Sequence, residues 1–185
     1  MLKFIPTEQD YVEAERRLAH LPILSGSHRG YQANEVGVLG ELIFERFMRD
    51  SNIKYKSQLD KTTHDYLVGN RELVMEVKTK DRKVEPRPNY DCSAPAYNYQ
   101  HQKVDAYAFM SLQMSRGDAS NDLRRFHTCW FVGIKCRDSF QQDATLWRAG
   151  EIDPSNGTQF WTDCLNVSIS LLDEPSALVR HANAF

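Results

Sequence analysis

The sequence has no long hydrophobic run. None of its apolar stretches approaches the roughly 20 residues that a membrane-spanning helix needs. The first ten residues, MLKFIPTEQD, contain one lysine but no apolar segment of the length found in a secretion signal. We therefore expect an intracellular, cytoplasmic protein without a membrane partner.

Cysteine is scarce and scattered. The four cysteines, at positions 92, 129, 136 and 164, form no CxxC pair and have no nearby pair of histidines. This spacing favours buried, reduced thiols over a zinc site, as is usual for proteins of a reducing compartment.

The chain also lacks a large net charge. Its formal charge of −2 argues against a protein that coats nucleic acid by bulk electrostatics. A local basic patch is still compatible with that balance, and the densest one is KTKDRKVEPR, residues 78–87. A solvated charged loop explains these residues as well as a phosphate-binding surface does, so both interpretations stay open.

The size and composition predict one folded domain over residues 1–185. The chain has a mass of 21.4 kDa, with 41% hydrophobic and 26% charged residues, close to the average for globular proteins. No internal repeat or low-complexity segment interrupts it.

Periodicity and capping residues predict a mixed α+β (α/β) fold with helices packed on the faces of a central mixed sheet. The expected loops, rich in Pro, Gly, Ser or Asp, are 22–32, 85–100 and 116–122. The expected elements are helices over 8–20 (capped by Thr7 with Asp10), from a cap at Asn34 to Asp50, 99–106 and from a Ser139–Gln142 capping box to Gly150, and strands over 54–58, 63–68, 71–80, 107–113, 126–136 and 167–171.

The second helix combines an apolar stripe with two glycines. Gly37 and Gly40 each cost about 1 kcal/mol relative to alanine inside a helix, so we expect close packing against another element. At 100° per residue, Glu41 lies at the margin of the stripe, beside Gly37 and Phe44.

The hairpin THDYLVGNRELVMEVKTK, residues 63–80, carries charges in a regular arrangement. A two-residue turn at 69–70 would place Asp65 opposite Val74 and on the same face as Glu76 and Lys78, about 7–8 Å from Glu76 between Cα atoms. A four-residue loop keeps this pairing parity, whereas a three-residue turn reverses one strand. The opposite face receives an apolar set suited to a core: Tyr66, Val68, Leu73, Met75 and Val77.

Two interpretations of these charges compete. Alternating Glu and Lys residues are common on a solvent-exposed strand, and EVK alone is a weak signal. Asp65 on the same face, together with Glu41 on the preceding helix, favours carboxylates that converge on one cation.

This arrangement resembles the PD-(D/E)XK phosphodiesterase superfamily, the restriction-endonuclease-like nucleases that include phage and repair enzymes. In that family a helix with a glutamate precedes a hairpin whose first strand gives Asp and whose second gives Asp/Glu-x-Lys. GVLGELIF, THDYL and EVK supply these residues here, within a core of αβββαβ order at about 34–136 and extensions at 1–30 and 140–185. The family's proline is replaced by His64, and YQHQKVDAY lacks the QxxxY pattern of the RecB-like branch, so no branch is assigned.

The resemblance implies a Mg²⁺-dependent nuclease, with Mn²⁺ as a substitute. Asp65, Glu76 and the Val77 carbonyl would bind the metal, since Mg²⁺ prefers oxygen ligands. Lys78 would orient or help deprotonate the attacking water, and Glu41 would hold a metal-bound water or a second ion.

Further residues are candidates for contact with nucleic acid, expected to be DNA. Lys80 shares the Lys78 face, Arg29 precedes the glutamate helix, and Gln100 and Gln102 lie on the next helix. Tyr97 and Tyr99 could stack on bases, although packing explains them better, and His64 is expected to be packed or solvated. A homodimer is compatible with cutting two strands.

Two other functions fit the same residues. One is a nucleic-acid-binding module that kept the fold without the chemistry, and the intact acid and lysine set argues against it. The other is an interaction domain in which the charges form surface ion pairs worth about 0–1 kcal/mol each.

Overall fold

In a computed structural model, the structure describes residues 1–21, 31–117, 120 and 122–183. Strands and helices alternate irregularly along these ranges. The helices are α1 (Glu8–Leu18), α2 (Tyr31–Asp50), α3 (Ala96–His101), α4 (Arg137–Asp143) and α5 (Pro175–Asn183). The strands are β1 (Leu2–Phe4), β2 (Tyr55–Ser57), β3 (Tyr66–Val68), β4 (Leu73–Arg82), β5 (Asp91–Pro95), β6 (Ala106–Met114), β7 (Phe126–Cys136), β8 (Thr145–Trp147) and β9 (Cys164–Ser168).

The central sheet is mixed, as predicted. Its six strands lie in the order β1-β7-β6-β4-β3-β2, with β4 and β6 parallel and the other neighbours antiparallel. A second sheet has the order β5-β9-β8 and was not expected. No helix among the described residues has the length and apolar character needed to cross a membrane.

Each face of the central sheet has its own apolar core. On one face α2 buries Leu39, Ile43, Phe44 and Phe47 against β4, β6 and β7. On the other face the second sheet and α4 cover another buried cluster, whose aromatic members are Tyr107, Phe109, Trp130 and Phe140. Helices and a small sheet therefore sandwich the central strands.

The first helix is capped as the sequence predicts. The Thr7 hydroxyl accepts a hydrogen bond from the Asp10 backbone N–H, and the Asp10 carboxylate accepts one from the Thr7 N–H. Helix α2 differs from its prediction, because it includes residues 31–33 and has Asn34 inside it rather than at its cap. Residues 22–30 of the expected loop lie outside the described part of the chain.

The hairpin has a four-residue connection, 69–72, in place of the predicted two-residue turn. The register shifts by two, so that Val68 faces Leu73, and the pairing parity is kept. Helix α5 explains the wider connection, since a Cβ on Gly69 would lie 2.6 Å from the Ala182 carbonyl oxygen and the Asn70 N–H donates to that oxygen. The turn is shaped by this contact with the C-terminal helix.

Three predictions for the second half of the chain are wrong in detail. The segment expected as loop 85–100 contains β5 and the start of α3, because β5 pairs with β9. The helix expected from Ser139 to Gly150 is α4, which begins at Arg137 after Cys136 without a side-chain cap and gives way to β8. The expected strand over 167–171 is β9, which ends at Ser168 and continues as a 3₁₀ turn.

A fourth prediction is also wrong in detail, because the helix expected over 99–106 is α3, at Ala96–His101. Strands β2, β6 and β7 match their predicted ranges closely, whereas β1 and α5 were not predicted. The loop predicted at 116–122 is only partly described. The four cysteines form no disulfide; Cys92 and Cys129 are buried, Cys164 is half-buried and Cys136 is exposed. The expectation of buried thiols holds for only two of the four cysteines.

Candidate metal centre

Strand β4 presents its charged and apolar residues to different faces of the sheet, as predicted. Met75 and Val77 are buried in the core beneath α2. Glu76 is aligned with Tyr107 and Lys78 with Phe109 in the parallel ladder to β6, and both of those aromatic residues belong to the other core. Alternation along the strand therefore brings Glu76 and Lys78 together.

Glu76 is the most enclosed carboxylate of the candidate site, with only 5% of its surface exposed. Its Oε1 accepts hydrogen bonds from Lys78 Nζ at 2.6 Å and from Gln102 Nε2 at 2.7 Å. Its Oε2 is buried and has no partner among the described residues. A buried carboxylate oxygen without a donor is costly, and a cation would satisfy it.

Asp65 lies immediately before β3 and reaches across to β4. Its Oδ2 accepts a hydrogen bond from the Val77 backbone N–H at 2.7 Å, and its own N–H donates to the Met75 carbonyl at 3.0 Å. In a strand the N–H and C=O of one residue point to the same side, so the Val77 carbonyl is also directed toward Asp65.

The electrostatic surroundings of Asp65 are unfavourable for a charge. Burial, followed by the charges of Glu76 and Glu41, raises the pKa of Asp65 well above its usual value, although the Val77 N–H and Lys78 oppose this. The carboxylate therefore sits in a site that favours either a proton or a cation.

Glu41 extends toward the same carboxylates from α2. Burial, followed by the charge of Glu76, raises its pKa to about 7. The helix can come this close because Gly40 has no Cβ. A Cβ at this position would lie 2.8 Å from the Thr79 Cβ, well inside ordinary contact distance. The glycine predicted to allow close packing thus brings α2 against β4, one residue from Glu41.

These contacts bring Asp65, Glu76 and Lys78 together, and the fourth residue predicted as catalytic, Glu41, is near enough for its charge to act on Asp65. Three carboxylates influence one another, and Lys78 supplies the ammonium group that is bonded to Glu76. Within the described ranges, no three His, Cys, Asp or Glu side chains are already arranged as metal ligands. The unpartnered Glu76 oxygen and the Asp65 and Glu41 carboxylates are the groups here that could hold a cation.

The residues predicted to contact nucleic acid have different positions. Lys80 donates to Ser93 Oγ at 3.3 Å beneath β5, and burial, followed by the Arg82 charge, lowers its pKa. Gln100 is exposed on α3. Gln102 contacts Glu76 and so belongs to the carboxylate cluster rather than to an outer surface, and Arg29 lies outside the described residues.

Two further polar residues border the cluster. The His64 ring is half-buried, with Nδ1 3.0 Å from Thr63 Oγ1 and Nε2 buried without a partner among the described residues. Tyr107, beside Glu76 in the ladder, was missed; its hydroxyl is buried without a partner in the described chain, and burial raises its pKa to about 12. The sequence predicts that a strand begins at Tyr107, but it does not predict that Tyr107 lies beside Glu76 of β4.

Tyr97 and Tyr99 also differ from each other. Tyr99 packs against α4, where its hydroxyl donates to Gln141 Oε1 at 2.5 Å and the Arg137 guanidinium lies 4.4 Å from its ring centre. Tyr97 is 62% exposed. Packing therefore accounts for Tyr99 and leaves Tyr97 in contact with solvent.

Comparison of the sequence with protein-family models and with curated proteins gives no match. The site is therefore interpreted from its own geometry.

Proposed function

We propose that the protein is a metal-dependent phosphodiesterase that hydrolyses nucleic acid, and specifically a DNA nuclease of the PD-(D/E)XK type. The observation that carries the proposal is the convergence of Asp65, Glu76 and Lys78 across one hairpin, with Glu41 approaching from the preceding helix. Burial raises the pKa of Asp65 and of Glu41, and either a proton or a cation would relieve their buried charge.

Asp65, Glu76 and the Val77 carbonyl are the groups that would bind Mg²⁺ or Mn²⁺. Their oxygens are the ligand type that Mg²⁺ prefers, and the Gln102 amide fixes the orientation of Glu76. The ion would lower the pKa of water and neutralise charge on the phosphate. Glu41 would hold a water molecule of the ion's shell, or a second ion.

Lys78 is the basic group of the mechanism. Its ammonium nitrogen lies 2.6 Å from Glu76 Oε1, and 17% of the Lys78 side chain is exposed. From this position the ammonium would orient the attacking water, stabilise the hydroxide that forms from it and offset the charge on the scissile phosphate.

The arrangement of the elements supports the same assignment. Helix α2, the strands β2 to β4, helix α3 and strand β6 follow the αβββαβ order of a restriction-endonuclease-like core, with β5 as an addition that joins the second sheet. The parallel pairing of β4 with β6 requires a crossover, and α3 lies on it. A homodimer remains part of the proposal.

The ion pair between Lys78 and Glu76 favours a second candidate function. In a nucleic-acid-binding module without catalysis, these charges would neutralise each other and need no metal. The two functions differ in their response to Mg²⁺, which would stabilise the nuclease and leave the binding module unchanged.

The experiment is a cleavage panel. Purified protein is incubated with end-labelled single-stranded, duplex and branched DNA and with RNA, in Mg²⁺, Mn²⁺ or EDTA. Cleavage of at least one DNA form that requires the metal supports the proposal. Binding without cleavage in both metals would support the second candidate instead.

A further inference from the structure

Two large exposed aromatic side chains, Tyr97 and Trp161, are carried by adjacent stretches of backbone. Tyr97 is 62% exposed and Trp161 is 63% exposed. The Ala96 N–H donates to the Asp163 carbonyl at 2.8 Å. Tyr97 directly follows Ala96, and Trp161 lies two residues before Asp163. The two rings therefore project from neighbouring stretches of backbone.

The stretch that carries Trp161 is anchored on both sides. Phe160 is buried and stacks on Trp147 with 5.1 Å between the ring centres. The Asp163 carboxylate accepts a hydrogen bond from Arg148 at 2.7 Å. This bond also holds the exposed Arg148 side chain at Asp163, two residues after Trp161. The exposed indole is therefore presented on a fixed piece of chain.

Tyr97 lies on α3, the helix that ends beside the candidate site. His101 lies one helical turn further on the same side of this helix, and its Nε2 is 3.5 Å from Thr62 Oγ1. Thr62 precedes Asp65 by three residues. The side of α3 that bears Tyr97 is thus the side that meets the segment leading into Asp65.

Helix α3 links Tyr97 to the carboxylate cluster. Gln102, which contacts Glu76, lies five residues after Tyr97, or about 7.5 Å along the axis at the helical rise. A base on Tyr97 would therefore belong to a nucleotide close along the strand to the one whose phosphate reaches the carboxylates.

We propose that Tyr97 and Trp161 form a stacking surface for unpaired bases, so that the substrate is single-stranded nucleic acid or a single-stranded end. The proposal rests on the proposed function, because it places the strand by reference to the carboxylate cluster. Bases in a duplex already stack on each other, and only unpaired bases offer a free face to an exposed ring. The Arg148 guanidinium adds a group that can contact the backbone.

The test measures binding rather than cleavage. A short fluorescein-labelled oligothymidylate is titrated with wild-type protein, Tyr97→Ala and Trp161→Ala in EDTA, and anisotropy gives the Kd. Removing one stacking ring should weaken binding by about 5- to 150-fold. Tyr97→Phe, which keeps the ring, should bind like the wild type. Ile5→Ala removes an exposed apolar side chain beyond the opposite edge of the sheet and should also have no effect.

The outcomes separate this proposal from the catalytic one. Wild-type binding by both alanine variants, or equal binding of a blunt duplex of matched length, would overturn the stacking surface. If Asp65→Asn still abolished cleavage in that case, the catalytic assignment would stand alone. If the ring variants lose binding while no DNA is cleaved, the surface stands and the nuclease assignment fails. Both rings are exposed, so unfolding is not expected, and circular dichroism checks it.

Discussion

The Asp65 carboxylate accepts a hydrogen bond from the Val77 backbone N–H at 2.7 Å. This bond ties the residue before β3 to the middle of β4, next to the Glu76 and Lys78 side chains. The hairpin therefore fixes the Asp65 carboxylate near Glu76 and Lys78, and burial keeps the Asp65 pKa high.

We expect Asp65→Asn to remove metal binding while it preserves the fold. The amide oxygen introduced by this substitution can still accept the Val77 N–H, but it brings no charge to a cation. In wild-type protein, Mg²⁺ at about 100 times its Kd should stabilise the fold by about 2.7 kcal/mol.

Thermal unfolding with and without Mg²⁺ measures this shift, and Asp65→Asn should lose it. The exposed Asp60→Asn serves as the matched control and should keep it. An Asp65→Asn protein whose Tm still rises with Mg²⁺ would show that the metal binds elsewhere.

The Gln102 amide should matter for metal affinity rather than for stability alone. Gln102→Leu removes the donor that orients Glu76 Oε1, and loss of such a support typically lowers metal affinity about 10- to 100-fold. Gln100→Leu changes an exposed glutamine on the same helix and should leave the affinity unchanged. Isothermal titration with Mn²⁺ compares them, and equal affinities for both variants would rule out a supporting role for Gln102.

The two glycines of α2 should respond in opposite ways to alanine. Gly40→Ala would drive a methyl group into the Thr79 side chain and cost about 1–3 kcal/mol. Gly37→Ala meets Glu41 Oε1 at 3.7 Å, an ordinary contact, and should gain up to about 1 kcal/mol from helix propensity. Urea unfolding measures both free energies. Equal stability of the two variants would contradict the close approach of α2 to β4.

The raised pKa of Glu41 predicts a pH-dependent stability in EDTA. The folded protein holds this proton to about pH 7, whereas the unfolded chain releases it near 4.5, so the free energy of unfolding falls as pH rises between these values. Glu41→Gln removes this loss. The Tm of Glu41→Gln should exceed that of the wild type at about pH 8 and match it at about pH 4. Each kcal/mol of difference in the free energy of unfolding should shift the Tm by about 2–4 °C.

The exposed Glu85→Gln is the control for this profile and should follow the wild type at both pH values. A Tm difference for Glu41→Gln that is constant across pH would point to packing instead of ionisation.

The sequence predicts the parity of the hairpin but not its turn. Alternation alone places Glu76 and Lys78 on one face, and this survives the two-residue shift in register. The four-residue connection depends on contact between Gly69 and Ala182 in α5. This helix is not among the elements predicted from the sequence. The strand β5 pairs with β9 across about 70 positions of sequence, and such a distant partner leaves no local signal.

The candidate site was predictable where local geometry determines it. The place of Glu41 on α2 follows from helical periodicity, and the shared face of Glu76 and Lys78 follows from alternation. The predicted pairing of Asp65 with Val74 is wrong, because Leu67 pairs with Val74 and Asp65 precedes β3. The contact between Gln102 and Glu76 depends on where α3 packs, so only the folded chain reveals it.

The most direct test of the central claim is Mg²⁺-dependent DNA cleavage by wild-type protein, Asp65→Asn and Lys78→Ala, purified in parallel. The exposed Lys83→Ala is the matched control for loss of a lysine on the same segment. The account predicts cleavage by the wild type and by Lys83→Ala, none in EDTA, and loss of cleavage in both site variants, with Lys78→Ala still stabilised by the metal. Cleavage that persists unchanged in Asp65→Asn and Lys78→Ala would contradict it.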